Sequence, residues 1–476
     1  MKFSTPLSAA AEPLPEGPAF LLPALVLAVI LLPLAGALAS HYHSLTNRRS
    51  AGLRAAGIAA GFGMASFLAA IGLGIAFAFA GPTDWVALAS PWMAFGLRVD
   101  ILTVVMLLLV SFLGAVVTRY ARNYLAGDPG QARFSKWLGL TISAVLTLIA
   151  SGNLVLFTLA WMATSLSLHK LLTFYPERRA GLLAARKKFL ISRLGDLCLI
   201  GGLVLAWQCF GTWEFSAMFA AAESARESGE ASSCLTSLAW LLVAAALLKS
   251  AQFPFHSWLP DTMETPTPVS ALMHAGIINA GGFLVVRLSP LVVNAPAALN
   301  TLALTGAVTA LFASVVMLTQ TNVKRSLAYS TIAQMGFMML QCGLGAFSLA
   351  ILHLVAHSLY KAHAFLSSGS IIAMRRSAWT PVDRPAAHPG ILLLALVSAV
   401  SATVAMGALF GVRLASDPGV VLLGAIFLMG LAYLFWNLWG TSHGLSLLGW
   451  GAAIGVSAAA AYFALHTGFD RLLADA

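Results

Sequence analysis

The chain has 476 residues, of which 59% are hydrophobic and 9% charged, with a mean hydropathy of +0.87. No soluble core absorbs that share of apolar sequence, and runs of about 18 to 25 apolar residues recur at the length a helix needs to cross a bilayer. The net charge of +10 is not a nucleic-acid footprint, because the basic residues sit in short loops between the apolar runs, as the positive-inside rule describes.

The runs are too long for barrel strands and strand periodicity is absent. The predicted fold is therefore an all-α polytopic membrane protein, one integral membrane domain over 1–476. The N-terminal lead "AAAEPLPEGP" is acidic and proline-containing, unlike the basic start of a cleaved signal peptide. About 14 spans follow, near 19–40, 55–80, 101–118, 134–150, 154–172, 187–209, 236–253, 268–289, 300–319, 326–343, 346–373, 390–411, 419–440 and 446–466.

Loop charges test this order. One side receives Arg48, Arg49 and Arg54, then Arg119, Arg122, Arg133 and Lys136, then the loop "ERRAGLLAARKK". Lys324 and Arg325 follow on that side, and finally Arg375, Arg376 and Arg384. The longest loop of the other side, "SAMFAAAESARESGEASS", is acidic. This alternation predicts an even number of spans with both termini outside. Cys198, Cys209, Cys234 and Cys342 form no CxxC pair or Cys/His metal spacing, and read as small packing residues.

Ionisable residues inside the spans carry the functional reading. In chain order, "SLSLHKLLTFY" places His169 and Lys170 near the basic side, Lys170 able to snorkel and His169 at the mouth of a path. "ISRLGD" places Arg193 and Asp196 at i, i+3, close enough to pair. Asp196 has a second option, Lys249 on another helix, where a mobile carboxylate would tune the lysine's proton affinity. Lys249 ends an apolar helix just before Pro254, Pro260, Pro266 and Pro268. An ammonium at membrane depth faces a protein interior or a water-filled cavity, and irregular backbone there lines such a cavity. The competing reading is a lysine snorkelling from a helix end.

His274, six residues into the next span, is either a relay group or a helix–helix hydrogen-bond partner. His353, His357 and Lys361 stand at i, i+4 and i+8 on one helix face, about 6 Å per turn, which suits a proton relay bridged by single waters. His363 lies on another face. Asp261 and Glu264, in the proline-rich return, are weaker candidates for an intake site or a partner contact. Phosphate loops, nucleophile elbows and metal-spaced carboxylates are absent from the sequence, so neither a catalytic centre nor a cofactor is expected in this chain.

These segments also carry a resemblance. "KSAQFPFHSWLPDTMETPTPVSALMHAG", "TNVKRSLAYSTIAQMGF", "HLVAHSLYKAHAFLSSGS", "RYARNYLAGDP" and "ISRLGD" resemble the proton-translocating antiporter-like subunits of respiratory complex I and of Mrp cation/proton antiporters. The resemblance runs from about Arg119 to Ser370, with an antiporter-like core of about 119–411. It implies two inverted five-helix repeats, each with a broken helix, and a polar axis near mid-membrane. It makes Lys249 the broken-helix lysine, His274 the histidine of the following helix, and His353, His357 and Lys361 the second-repeat relay. Asp196 becomes the acid beside an arginine.

Two departures stand out. Met162 occupies the place where complex I subunits carry a glutamate, and the sequence after Arg384 has neither a lysine nor a glutamate in "ILLLALVSAVSATVAMGALFGV". The wording "WMATSLSLHKLL" and "HAGIINAGGFLVVRL" is similar to the DabB-type membrane subunits of DabA/DabB inorganic-carbon accumulation systems of bacteria. That resemblance implies a multi-pass inner-membrane subunit conducting H+ or Na+, with zinc and carbon chemistry in a DabA-like cytoplasmic partner. The alternatives are an antiporter-like subunit of complex I, a membrane hydrogenase or an Mrp assembly, and a non-conducting membrane anchor.

Overall fold

The computed structural model describes residues 21–45, 49–89, 94–229, 233–369, 389–412, 418–440 and 445–473. The first stretch is helical: α1 (Leu21–Leu45), α2 (Arg49–Ala80), then a β-hairpin of β1 (Thr83–Ala89) and β2 (Ala94–Val99). Four long helices follow, α3 (Ile101–Tyr124), α4 (Gln131–Ala150), α5 (Leu154–Leu172) and α6 (Arg179–Phe210), then the shorter α7 (Phe215–Glu227) and α8 (Ser233–Lys249). The proline-rich return forms α9 (Trp258–Asp261), a 3-10 turn at Thr262–Glu264, and α10 (Thr267–Ala275). A second 3-10 turn, Ile277–Asn279, separates α10 from α11 (Ala280–Arg287), and α12 (Ser289–Val292) is a single turn. The remainder is α13 (Pro296–Leu318), α14 (Val323–Gly343), α15 (Phe347–Leu366), α16 (Pro389–Leu409), α17 (Pro418–Gly440) and α18 (Leu445–Leu473).

Among the described residues, twelve segments, one of them the broken Thr267–Arg287, are long and apolar enough to cross a membrane. All fourteen predicted stretches contain a helix. Two fall outside the twelve: α8 has 17 residues, and α14 is diluted by Ser326, Tyr329, Ser330, Thr331, Gln334 and Gln341. The outward faces are apolar, as lipid contact demands. On α13, Leu304, Leu311, Val315 and Leu318 are all exposed along one side.

Three sequence expectations need correction. Strand structure is present: β1 and β2 pair antiparallel, with an irregularity between Val86 and Leu88 that breaks the alternation on which a strand reading depends. The basic stretch "ERRAGLLAARKK" is largely the first turns of α6, and the acidic stretch contains α7. Cys209 and Cys234 are disulfide-bonded across a separation of 25 residues, so only Cys198 and Cys342 are free. Arg48, Arg375, Arg376, Arg384 and both chain ends lie outside the described residues.

Local chemistry sets the ends of the helices. Asn153 caps α5, its Oδ1 accepting from Leu156 N at 2.8 Å. Asp100 caps α3 by accepting from Thr103 N at 2.8 Å. The same buried carboxylate accepts from Arg98 Nε at 2.9 Å and pairs with Arg287, whose Nη2 also donates to Thr103 Oγ1 at 2.6 Å. The pair ties the hairpin, the start of α3 and the end of α11 together. Removing one partner from such a pair leaves an uncompensated buried charge, a loss of about 3–5 kcal/mol.

The described chain groups into two compact units, one built on Met1–Gly343 and Leu354–Ser368, the other on Leu344–His353 and Gly369–Asp475. The first holds the broken helices. The second has its own apolar centre, where Ala395, Ala399 and Ala402 of α16 meet Leu431, Phe435 and Trp439 of α17 and Ala459 of α18.

Candidate ion-relay site

Lys249 is the last residue of α8 and is only 5% exposed. It does not snorkel. Its Nζ makes no hydrogen bond among the described residues and lies 4.2 Å above the centre of the fully buried Trp161 ring of α5. A cation over an indole face is attracted by the ring quadrupole, which offsets part of its desolvation. Beyond Lys249 the chain leaves the helix through Ala251, at φ 50°, and Pro254, which has no amide to donate. The freed groups find other partners: Ser250 Oγ donates to Ile278 O at 2.8 Å, and Phe253 N donates to Thr309 Oγ1 at 3.0 Å.

Asp196, 3% exposed, takes the local option: its Oδ2 lies 2.7 Å from Arg193 Nη2 on the same helix. The carboxylate remains within electrostatic reach of Lys249 and of Lys188. Arg193 also lies over the Phe189 ring, 4.9 Å from its centre.

His274 is fully buried at the end of α10, where the span breaks again at Gly276. Its ring stacks on Phe365 of α15 at 4.3 Å, and its Nδ1 is 3.1 Å from Thr331 Oγ1 of α14. The next hydroxyl belongs to Ser330, and it accepts from Lys361 Nζ at 2.7 Å. Thr331 Oγ1 in turn donates to Leu327 O at 3.0 Å, and that carbonyl also accepts from Lys361 Nζ at 3.3 Å, so α14 contacts both His274 and the fully buried Lys361. His357 is buried one turn from Lys361, and both it and Lys361 act electrostatically on His274. Asn279 in the break donates to Ser358 Oγ at 2.8 Å, pinning α15 against the broken span. His353 continues the same face of α15 into the segment that groups with the second unit, and is half-buried. His363 is exposed.

The weaker candidates are not gathered with these groups. Asp261 is held by Lys187 at 2.7 Å, with Arg325 at 3.9 Å. Glu264 is exposed, and its backbone carbonyl accepts from Arg178 at 2.9 Å. Lys170 is exposed at the end of α5, while His169 lines a shallow cavity of about 280 Å³ with Arg186, Phe189 and Leu190. Sequence reasoning missed Lys188, which is 3% exposed and bonded to Ser165. It also missed the hydroxyls Ser330 and Thr331. The available signal was the polar run within "RSLAYSTIAQ", which is too hydrophilic for a lipid-facing helix.

Apolar spans broken beside the buried Lys249 and His274, packed against a helix carrying the buried His357 and Lys361, define an antiporter-like membrane subunit. The family description "NADH:quinone oxidoreductase/Mrp antiporter, TM" matches residues 151–415, and "NADH-Ubiquinone oxidoreductase (complex I), chain 5 N-terminus" matches residues 85–135. The chain is 44% identical over 386 residues to "Probable inorganic carbon transporter subunit DabB2" of Halothiobacillus neapolitanus, covering 80% of this chain and 69% of the relative. It is 42% identical over 334 residues to "Probable inorganic carbon transporter subunit DabB" of Hydrogenovibrio crunogenus, covering 69% of this chain and 61% of the relative. In three dimensions it resembles a chain of the Mrp complex of Dietzia sp., with a TM-score of 0.68 and 25% identity, over 95% of this chain and 52% of that one. The chain belongs to the complex I/Mrp antiporter-like membrane-subunit family, as a DabB-like member. It spans roughly two thirds of the length of those two relatives.

Proposed function

We propose that this chain is the ion-conducting membrane subunit of an inorganic-carbon uptake complex. It passes H+ or Na+ down its gradient and so energises a DabA-like zinc subunit, where CO2 and bicarbonate are handled. No step on carbon is assigned to this chain. Lys249 is the central proton carrier, Asp196 modulates it, and His274 hands protons to Lys361 and His357. The observation that carries this reading is the set of buried protonatable groups, Lys249 and His274 at the helix breaks and Lys361 within the unbroken α15, where a structural core would hold apolar side chains.

The proposed setting is the bacterial inner membrane, with the basic loops in the cytoplasm. The Cys209–Cys234 disulfide supports that orientation, because it lies at the far end of α6 from Arg179 and disulfides persist in oxidising compartments. Met162, half-buried where the family's acid would stand, favours a second reading: a membrane anchor that no longer conducts.

One experiment separates the two. Radiolabelled inorganic carbon uptake is measured in cells lacking carbonic anhydrase that express the chain with a DabA-like partner. Wild type accumulates carbon, while Lys249→Ala and an uncoupler each abolish accumulation with the complex still assembled. Normal uptake by Lys249→Ala would mean an anchor.

A further inference from the structure

Lys188 is a buried cation that the relay above leaves unused. It reaches across from α6 to α5, where Nζ donates to the Ser165 carbonyl at 3.0 Å and to Ser165 Oγ at 2.8 Å. A lysine escaping to the headgroups would extend away from the helix bundle; this one turns inward.

Its neighbours form two rows. On α6 the buried residues Lys188, Ser192 and Asp196 stand at i, i+4 and i+8, one helix face with about 6 Å between successive members. Lys188 therefore lies about 12 Å along the axis from Asp196, on the basic side. On α5, His169, Ser165 and Trp161 repeat that spacing. His169 stands at the cavity it shares with Arg186, and Trp161 lies beneath Lys249. The rows meet at Ser165, where Lys188 is bonded.

Charge supplies the second argument. Lys188 is within electrostatic reach of Lys249, Arg193 and Asp196, and His169 feels Lys188, Lys170 and Arg193 in turn. Asp196 is already engaged by Arg193. Two buried ammonium groups beside one occupied carboxylate repel each other, so protonation of one disfavours protonation of the other. Such a pair passes a proton on rather than storing two.

We propose that Lys188 is a second proton carrier, which receives protons from Lys249 through Asp196 and Ser192 and releases them at the basic end by way of His169. The Lys249 ammonium gives its proton to the Asp196 carboxylate, and Asp196 passes it to the Ser192 hydroxyl as Ser192 hands its own proton to the Lys188 amine, leaving Asp196 ionised and Lys188 protonated. This rests on the reading of the chain as a proton conductor.

The test reconstitutes the full chain, co-expressed with a DabA-like partner, into liposomes holding a pH-sensitive dye. Proton influx is driven by a potassium diffusion potential. Lys188→Arg keeps the charge and the donors to Ser165 but cannot release a proton. Influx is expected to fall at least tenfold with the complex intact. A cation needed only for packing would leave it near wild type, and influx within twofold of wild type overturns the proposal. If Lys188→Arg does not assemble, Ser165→Ala decides, because every charge stays in place. A loss of threefold or more supports the proposal and unchanged influx overturns it. Lys249→Ala separates the two levels of the argument. Should wild type carry no protons, the conduction reading falls and this inference with it. Should wild type conduct, Lys249→Ala fail and Lys188→Arg conduct normally, the Lys188 assignment alone is wrong.

Discussion

Glu214, just before α7, has a carboxyl whose Oε1 is buried without a hydrogen-bond partner among the described residues. Burial first, and the nearby Asp84 second, push its pKa up from the ordinary 4.5 to about 7. The folded chain thus holds a proton there that the unfolded chain would release. Its contribution to stability is complete below about pH 4.5 and is lost as pH rises to about 7. Partial exposure screens the effect to about 1 kcal/mol. Thermal unfolding of the purified protein between pH 5 and 8 should show stability declining with pH, and Glu214→Gln should flatten that decline. An equal slope in both proteins would assign it to other groups. Legibility at this scale followed contrast. Lys249, Asp196, His274 and Lys361 stand out because each interrupts an apolar run. Lys188 adjoins Arg186 and Lys187, so it read as one more basic loop residue. The Asp100–Arg287 pair joins positions 187 apart, beyond the reach of any local pattern.

Among the elements, the breaks near Lys249 and His274 depend on how closely α11 approaches α8. Gly281 makes that approach possible, since a Cβ there would run into Ser250 Oγ and the Ala246 carbonyl. Ser250 is the residue that bonds Ile278 O across the break, so a displaced α8 also moves Lys249. Gly281→Ala is expected to cost about 1–3 kcal/mol through overpacking and to reduce carbon uptake in proportion to the displacement. Gly430→Ala on α17, where a Cβ meets nothing within 4 Å, is the matched control and should leave both unchanged. Equal behaviour of the two variants in unfolding and uptake would remove the glycine from the account. The first break was legible because Pro254, Pro260, Pro266 and Pro268 announce it. The second was not, as "HAGIINAGG" contains no proline and reads as continuous apolar helix. The hairpin escaped for a related reason: its strands have seven and six residues, and their register slips between Val86 and Leu88.

For the molecule as a whole, orientation in the membrane decides which way the proposed current runs, and the Cys209–Cys234 disulfide offers a direct measurement of it. Spacing could not reveal this bond, because 25 residues and the whole of α7 separate the two sulfurs in sequence. Folding brings the end of α6 back to the start of α8. Closing a loop of that size restricts the unfolded chain by about 3 kcal/mol in the chain-entropy account, so reduction should lower the unfolding temperature of the purified protein. In intact cells, a membrane-impermeant reductant followed by a polyethylene-glycol maleimide should add two labels to wild type and none to a Cys209→Ser/Cys234→Ser double variant. That result puts the α6–α8 end outside and the Arg179 end in the cytoplasm, so that His169 and Lys188 face the cytoplasm and a current descending an inward gradient leaves through them. Labelling that appears only after permeabilisation would invert the chain, and Lys188 would then receive protons from outside, ahead of Lys249.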